Sequence, residues 1–258
     1  MMTDNIIGVV GGVGPYAGLD LVRKIFDQTI ASTDQDHLPV ALLSYSELIS
    51  ERTDFILGET NQNPAAGIIT VLKQLELIGS TVAGIPCNTA HAPLVFDQIN
   101  TNLATRSSPI QLIHMIEETA QFMCTYHPDK ERVGVLSTQG TYLANIYPGI
   151  LQDASFAVLT PDEEEQRNLV NPAIYDERYG IKAQSNPVTK RARTDLRAAA
   201  KNLIAAGAQA IILGCTEIPL ALPENRIGSI PLVDPTMILA RALVREAAPH
   251  KLNPLPQI

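Results

Sequence analysis

Short apolar runs punctuate this chain and alternate with longer stretches of helical periodicity. IIGVVG, PVALLS, TVAGIP, RVGVLS, FAVLT and AIILG are rich in Val, Ile and Leu and lack in/out alternation, so each predicts a strand buried on both faces. Between them lie segments such as AGLDLVRKIFDQTI and TDLRAAAKNLIAAG, which predict helices. Strands of this kind separated by helices predict an α/β protein whose parallel sheet is covered on both faces.

The pattern also repeats. Gly8, Gly14 and Tyr16 frame the turn after the first strand, and Gly134, Gly140 and Tyr142 recur at the same spacings, offset by 126 throughout. PAAGIITVLKQLELIG followed by STVAGIPC ends in Cys87, and TDLRAAAKNLIAAG followed by AQAIILGC ends in Cys215. Gly79 and Gly207 each precede their cysteine by eight residues, the room needed for a glycine C-cap, a five- or six-residue strand and a turn. Agreement in order at these positions points to duplication, with two similar α/β units facing each other and both strand ends at a shared cleft. The expected division is a first domain over 1–108, a second over 109–226, and a C-terminal segment over 227–258 that returns to the first. The change falls near the polar run TNLATRSSP, and the last helix starts with Asp234 as N-cap and Pro235 at its first position.

Length and charge narrow the function. The 258 residues suffice for one large domain or two small ones. The balance of 19 Lys+Arg against 27 Asp+Glu, net −8, disfavours nucleic acid and anionic membranes and suits a small polar ligand. The first residues lack the features of a signal peptide, and no apolar run is long enough to span a bilayer, so the cytoplasm is the expected address. Three cysteines, at 87, 124 and 215, make no disulfide framework and are expected as free thiols. Cys124, in IEETAQFMCTYH and without a twin, reads as a small buried hydrophobe.

CNTAH, from Cys87 to His91, and GCTEIP, from Gly214 to Pro219, each set a thiol at a strand end beside a hydroxyl that can bind an anion. With the N-terminal GGVGP, the paired motifs resemble the cofactor-independent aspartate/glutamate racemase superfamily, and the resemblance covers nearly the whole chain. It implies two pseudo-symmetric α/β domains with the active site between them, an amino-acid substrate, no cofactor and a homodimer. Inverting an α-carbon needs one group to remove a proton from one face and another to deliver one to the opposite face. A facing pair, Cys87 and Cys215, can hold one thiol and one thiolate and exchange those roles near neutral pH, with neither state assigned to either cysteine by the sequence.

Donors aimed at the substrate carboxylate must stabilise the charge that develops, and Asn88, Thr89, Thr138, Thr141 and Thr216 are the candidates from their places in the motifs. As an alternative they are ordinary caps and turn formers. Gly14 is expected to let backbone approach the substrate. His91 and Glu217 position the thiols or else cap the helices that follow. Cys87 with His91 lacks further ligands at metal spacing, so no metal is expected. The resemblance further assigns Arg52, in SERTDF, and Lys182, in YGIKAQ, to the side-chain carboxylate of an acidic substrate. Glu51 beside the arginine departs from the usual pattern and leaves aspartate against glutamate open.

Three rivals compete. Gly12 to Ala17 satisfies G-x-G-x-x-G/A, the mark of a nicotinamide-dependent oxidoreductase, but the nearest acid after the second strand, Glu47, lies more than 30 residues beyond Gly14, and Pro15 removes a phosphate donor. A superfamily decarboxylase or isomerase of a dicarboxylic acid shares the fold, although decarboxylases of this type resemble the pattern with one cysteine replaced. A non-catalytic amino-acid-binding protein has no use for paired thiols.

Overall fold

The computed structural model describes residues 5–255. Strand β1 (Ile6–Gly11) runs into helix α1 (Pro15–Asp27), and β2 (Val40–Ser44) is followed by α2 (Arg52–Ile56) and α3 (Ala65–Ile78). Then come β3 (Ser80–Gly84), α4 (Pro93–Thr105), β4 (Gln111–Ile113) and α5 (Met115–Tyr126). The alternation resumes with β5 (Arg132–Ser137), α6 (Gln139–Leu143), α7 (Ile146–Asp153) and β6 (Ala157–Leu159). A short α8 (Glu163–Glu165) passes through a π-turn over Gln166–Val170 into α9 (Asn171–Tyr175). The chain closes with α10 (Lys190–Ala205), β7 (Ala210–Gly214), α11 (Ile218–Ala221), β8 (Arg226–Ile227), β9 (Ile230–Val233) and α12 (Pro235–Ala247).

Two sheets result. The first has the order β2-β1-β3-β4 and is parallel throughout; the second has the order β6-β5-β7-β9-β8 and is parallel except for the hairpin of β8 and β9. The duplication seen in sequence is therefore a duplication of topology, with β1 and β5 each flanked by the strand that follows and the strand after that. The central strands are buried on both faces because helices cover both sides, whereas edge strand β2 is only half-buried. Gly79 and Gly207 end α3 and α10 in left-handed conformation, at φ 98° and 99°, which favours glycine.

Sheet membership runs past both expected boundaries. Gln111–Ile113 pairs with β3, so the first sheet extends beyond residue 108, and Ile230–Val233 pairs with β7, so the second extends beyond 226. Strands β4, β8 and β9 lie outside the apolar runs that marked the other strands. TVAGIP also stops early, at Gly84.

Asp234 caps α12, accepting from the Thr236 and Met237 amides at 2.8 and 3.3 Å. The helix then packs on α1, α5 and β3, so the chain returns from the second sheet to the first. One apolar cluster consequently spans both units, joining Ile7, Val9 and Leu21 to Val133, Val135 and Ile212 through Leu239 and Leu243. Cys124 corrects its expectation: it is exposed, because the packed stripe of α5 ends at Met123 and the next residue turns out of it. Among the described residues no helix is long and apolar enough to cross a membrane.

Candidate active site

The two cysteine turns reach their common place by different routes. Gly207 is followed by two residues before β7 begins, so Cys215 comes directly after that strand. Gly79 is followed at once by β3, and Ile85-Pro86 carries the chain two residues further before Cys87. Proline cannot donate to the ladder, which suits its place just past the strand. Both thiols are buried and line one cavity at the carboxyl ends of the two sheets. Arg52, Asn88, Thr89, Thr138, Lys182, Thr216 and Glu217 line it too.

The surroundings of the thiols differ. Cys215 Sγ donates to Glu217 Oε2 at 3.2 Å, and Lys182 Nζ donates to Glu217 Oε1 at 3.1 Å. Burial pushes the Cys215 thiol well up, and the Glu217 charge pushes it further. Burial alone would raise the Glu217 carboxyl, but Lys182, the thiol and Arg52 hold it below the usual carboxylate value. Cys215 therefore rests as a thiol against an ionised acid. At the other thiol stands Arg52, at the start of α2. Its guanidinium donates to the Val13 and Ser50 carbonyls, both at 3.3 Å, and Glu51 Oε1 is 3.8 Å away. Burial would lower the arginine, but its neighbours, Cys87 first and then Glu51, keep it charged and raised.

Hydroxyls and amides fill the floor. Thr89 Oγ1 from the first unit lies 3.1 Å from Thr138 Oγ1 and 2.9 Å from Thr141 Oγ1 of the second, while Thr138 also caps α6 by accepting from the Thr141 amide at 3.3 Å. Thr141 itself sits behind this layer and does not line the cavity.

His91 is also behind it. Its Nδ1 donates to the Cys87 carbonyl at 2.8 Å, and burial with the nearby His114 lowers its pKa to about 3, so the ring is neutral and braces the cysteine turn. Neither His91 nor Glu217 makes a side-chain cap to the following helix.

Gly14 corrects its expectation too. It does not line the cavity, where Val13 stands instead. Its φ of 129° suits glycine, and a Cβ there would meet Glu217 Oε1 at 2.5 Å. An acid thus stands at the start of α1, where a dinucleotide phosphate would need positive potential. That geometry argues against the oxidoreductase.

A family model described as Asp/Glu/Hydantoin racemase matches residues 10–243. The chain belongs to the Asp/Glu/Hydantoin racemase family. Its members are isomerases by name, and the chain is similar to several of them. The broad specificity amino-acid racemase RacX of Bacillus subtilis (strain 168) is 27% identical over 241 residues, 93% of this chain and 96% of that protein. The structure of Picrophilus torridus aspartate racemase superposes with a TM-score of 0.78 at 28% identity, covering 96% of each chain. Glutamate racemase from Francisella tularensis, solved with D-glutamate, is 16% identical with a TM-score of 0.63 over 99% of this chain and 86% of its own, and shows a shared fold.

In this family member the sequence reading missed several groups. Tyr175 lines the cavity and its hydroxyl meets Thr53 Oγ1 at 2.9 Å, joining the two units; Lys182 Nζ lies 5.7 Å from the Tyr175 ring centre. Tyr147 meets Asn88 at 2.6 Å. Neither tyrosine falls in a motif, and only the fold brings them in. Tyr175 follows a π-turn, a feature that recurs near functional sites but leaves no mark in a single sequence.

Proposed function

We propose that the protein racemises an acidic amino acid, aspartate or glutamate, by proton transfer between Cys87, Cys215 and the α-carbon, without a cofactor. The observation that carries this reading is the arrival of two thiols, from the ends of β3 and β7, in one buried cavity that also holds two cations, Arg52 and Lys182. Cys215, resting as a thiol, starts as the acid, and Cys87, beside the Arg52 guanidinium, starts as the base. The thiolate takes the α-hydrogen as a proton from one face, and the opposite thiol gives its proton to the other face. The C–H bond broken is replaced by one formed, the thiol and thiolate have exchanged states, and the reverse reaction starts from there. Charge developing on the α-carboxylate is met by Asn88, Thr89, Thr138 and Thr216. Arg52 holds the side-chain carboxylate.

The cavity's free space of about 10 Å³ is close to the need of one water. Substrate entry therefore requires the two units, acting as separate domains, to part. The reading also takes the enzyme to be a cytoplasmic homodimer: unpaired cysteines suit a reducing compartment, and the dimer rests on the family resemblance. A net charge of −8 gives it no attraction to nucleic acid or anionic membranes.

A second reading, the same reaction on a wider range of amino acids, is favoured by the engagement of Lys182 with Glu217, which leaves Arg52 to hold a side-chain carboxylate alone. The B. subtilis relative is named for broad specificity. Incubating D- and L-aspartate, glutamate and alanine in heavy water, and following α-hydrogen exchange with chiral composition, separates the two readings. Exchange and racemisation should appear together and fall by about 100- to 10,000-fold in Cys87→Ala and in Cys215→Ala. Wild-type racemisation by either variant would defeat the two-base scheme.

A further inference from the structure

We infer that Tyr147 is a positioning residue that holds the Asn88 amide with its N–H donors turned to the substrate carboxylate; the inference rests on the racemase reading above. Tyr147 belongs to α7 of the second unit and is fully buried. Its hydroxyl crosses to Asn88 Oδ1 in the Cys87 turn, and its ring lies against the backbone just before Cys215, where a Cβ on Gly214 would stand 3.0 Å from Tyr147 Cε2. One side chain thus touches the residue after one thiol and the residue before the other.

The distance decides which end of the amide faces the tyrosine. The two ends are alike in shape, but one accepts and the other donates. At 2.6 Å the contact lies within the range of O–H···O bonds and below the usual range of N–H···O bonds. Burial keeps the tyrosine protonated, its pKa far above the ordinary value, so the hydroxyl donates to Oδ1. Asn88 Nδ2 is then left buried and without a partner, on a residue that lines the cavity. A buried N–H group without an acceptor is costly, and a substrate carboxylate supplies the acceptor. Freed from Tyr147, the amide can turn over and present an oxygen to that carboxylate instead.

The test is a double-mutant cycle on the full-length protein with whichever amino acid the wild type exchanges. Asn88→Ala should lower kcat/KM by roughly 100- to 1,000-fold, the cost of deleting such a donor, and Tyr147→Phe by about tenfold or more. The double variant should be no worse than Asn88→Ala, because Tyr147 acts through Asn88; losses that multiply would mean an independent structural role and overturn the inference. Asn88→Asp decides the orientation even if the tyrosine variant folds poorly. It should fall below Asn88→Ala, since it sets a carboxylate oxygen against the substrate, and activity at or above the wild type would overturn the assignment. In the ¹⁵N-labelled protein the Asn88 side-chain amide resonance should move in Tyr147→Phe. A wild type that exchanges no amino acid defeats the racemase reading, and an unmoved amide resonance then defeats this inference separately.

Discussion

The Cys215 thiol donates to Glu217 across 3.2 Å, from a residue two positions along the same turn. This contact makes the two thiols unequal, since burial and an adjacent ionised acid hold Cys215 protonated. Replacing Glu217 by Gln removes the charge that raises the thiol and frees Lys182 to favour the thiolate. Alkylation of Cys215 by iodoacetamide, followed by peptide mass spectrometry against pH, should therefore shift to lower pH in the variant. A profile that stays in place or moves upward would show that Glu217 does not control the thiol.

Arg52 is held by two backbone carbonyls at 3.3 Å, so its guanidinium is set before substrate arrives. A charged hydrogen bond of about 1.5–3 kcal/mol corresponds to roughly 10- to 100-fold in binding. Arg52→Lys should raise KM for aspartate or glutamate by that factor and leave alanine little changed. Equal effects on acidic and neutral amino acids would remove Arg52 from the side-chain site.

At Gly14 the left-handed backbone and the Glu217 carboxylate exclude a side chain together. Gly14→Ala should cost roughly 1–3 kcal/mol of stability from the backbone alone, read by urea denaturation, and should lower activity by displacing Glu217 from Cys215. A variant with wild-type stability and turnover would show that the loop gives way freely.

His91 links stability to pH. The unfolded chain takes up a proton as pH falls through 6.5, whereas the folded chain resists until about 3, so folding weakens as pH falls across that window. The loss from this residue should reach roughly 2 kcal/mol by pH 5. His91→Gln, which keeps a donor for the Cys87 carbonyl, should flatten that part of the stability profile. An unchanged slope would mean that the ring is not held neutral.

Much of the fold was legible beforehand. β1, β5 and β7 begin and end where their apolar runs do, because strands buried on both faces must be apolar throughout. The glycine-to-cysteine spacing of eight residues predicted that a strand precedes each cysteine; Cys215 follows its strand directly, whereas β3 ends two residues short of Cys87. The edge strand β4 was not legible, since its pairing with β3 rather than a local pattern makes it a strand.

By itself the sequence determined the alternating α/β architecture, its duplication and the paired cysteine turns, all of which depend on residues near one another along the chain. Only the tertiary structure decided what surrounds each thiol. Glu217 reaches Lys182 across 35 residues, Asn88 meets Tyr147 across 59, and Thr53 meets Tyr175 across 122. The first of these lies within the second unit and the other two join the units, and no local periodicity encodes any of them. The packing of the units set Gly14 behind Glu217 and not at the cavity wall, because space at a strand end is allotted by whichever side chain arrives from the opposite unit.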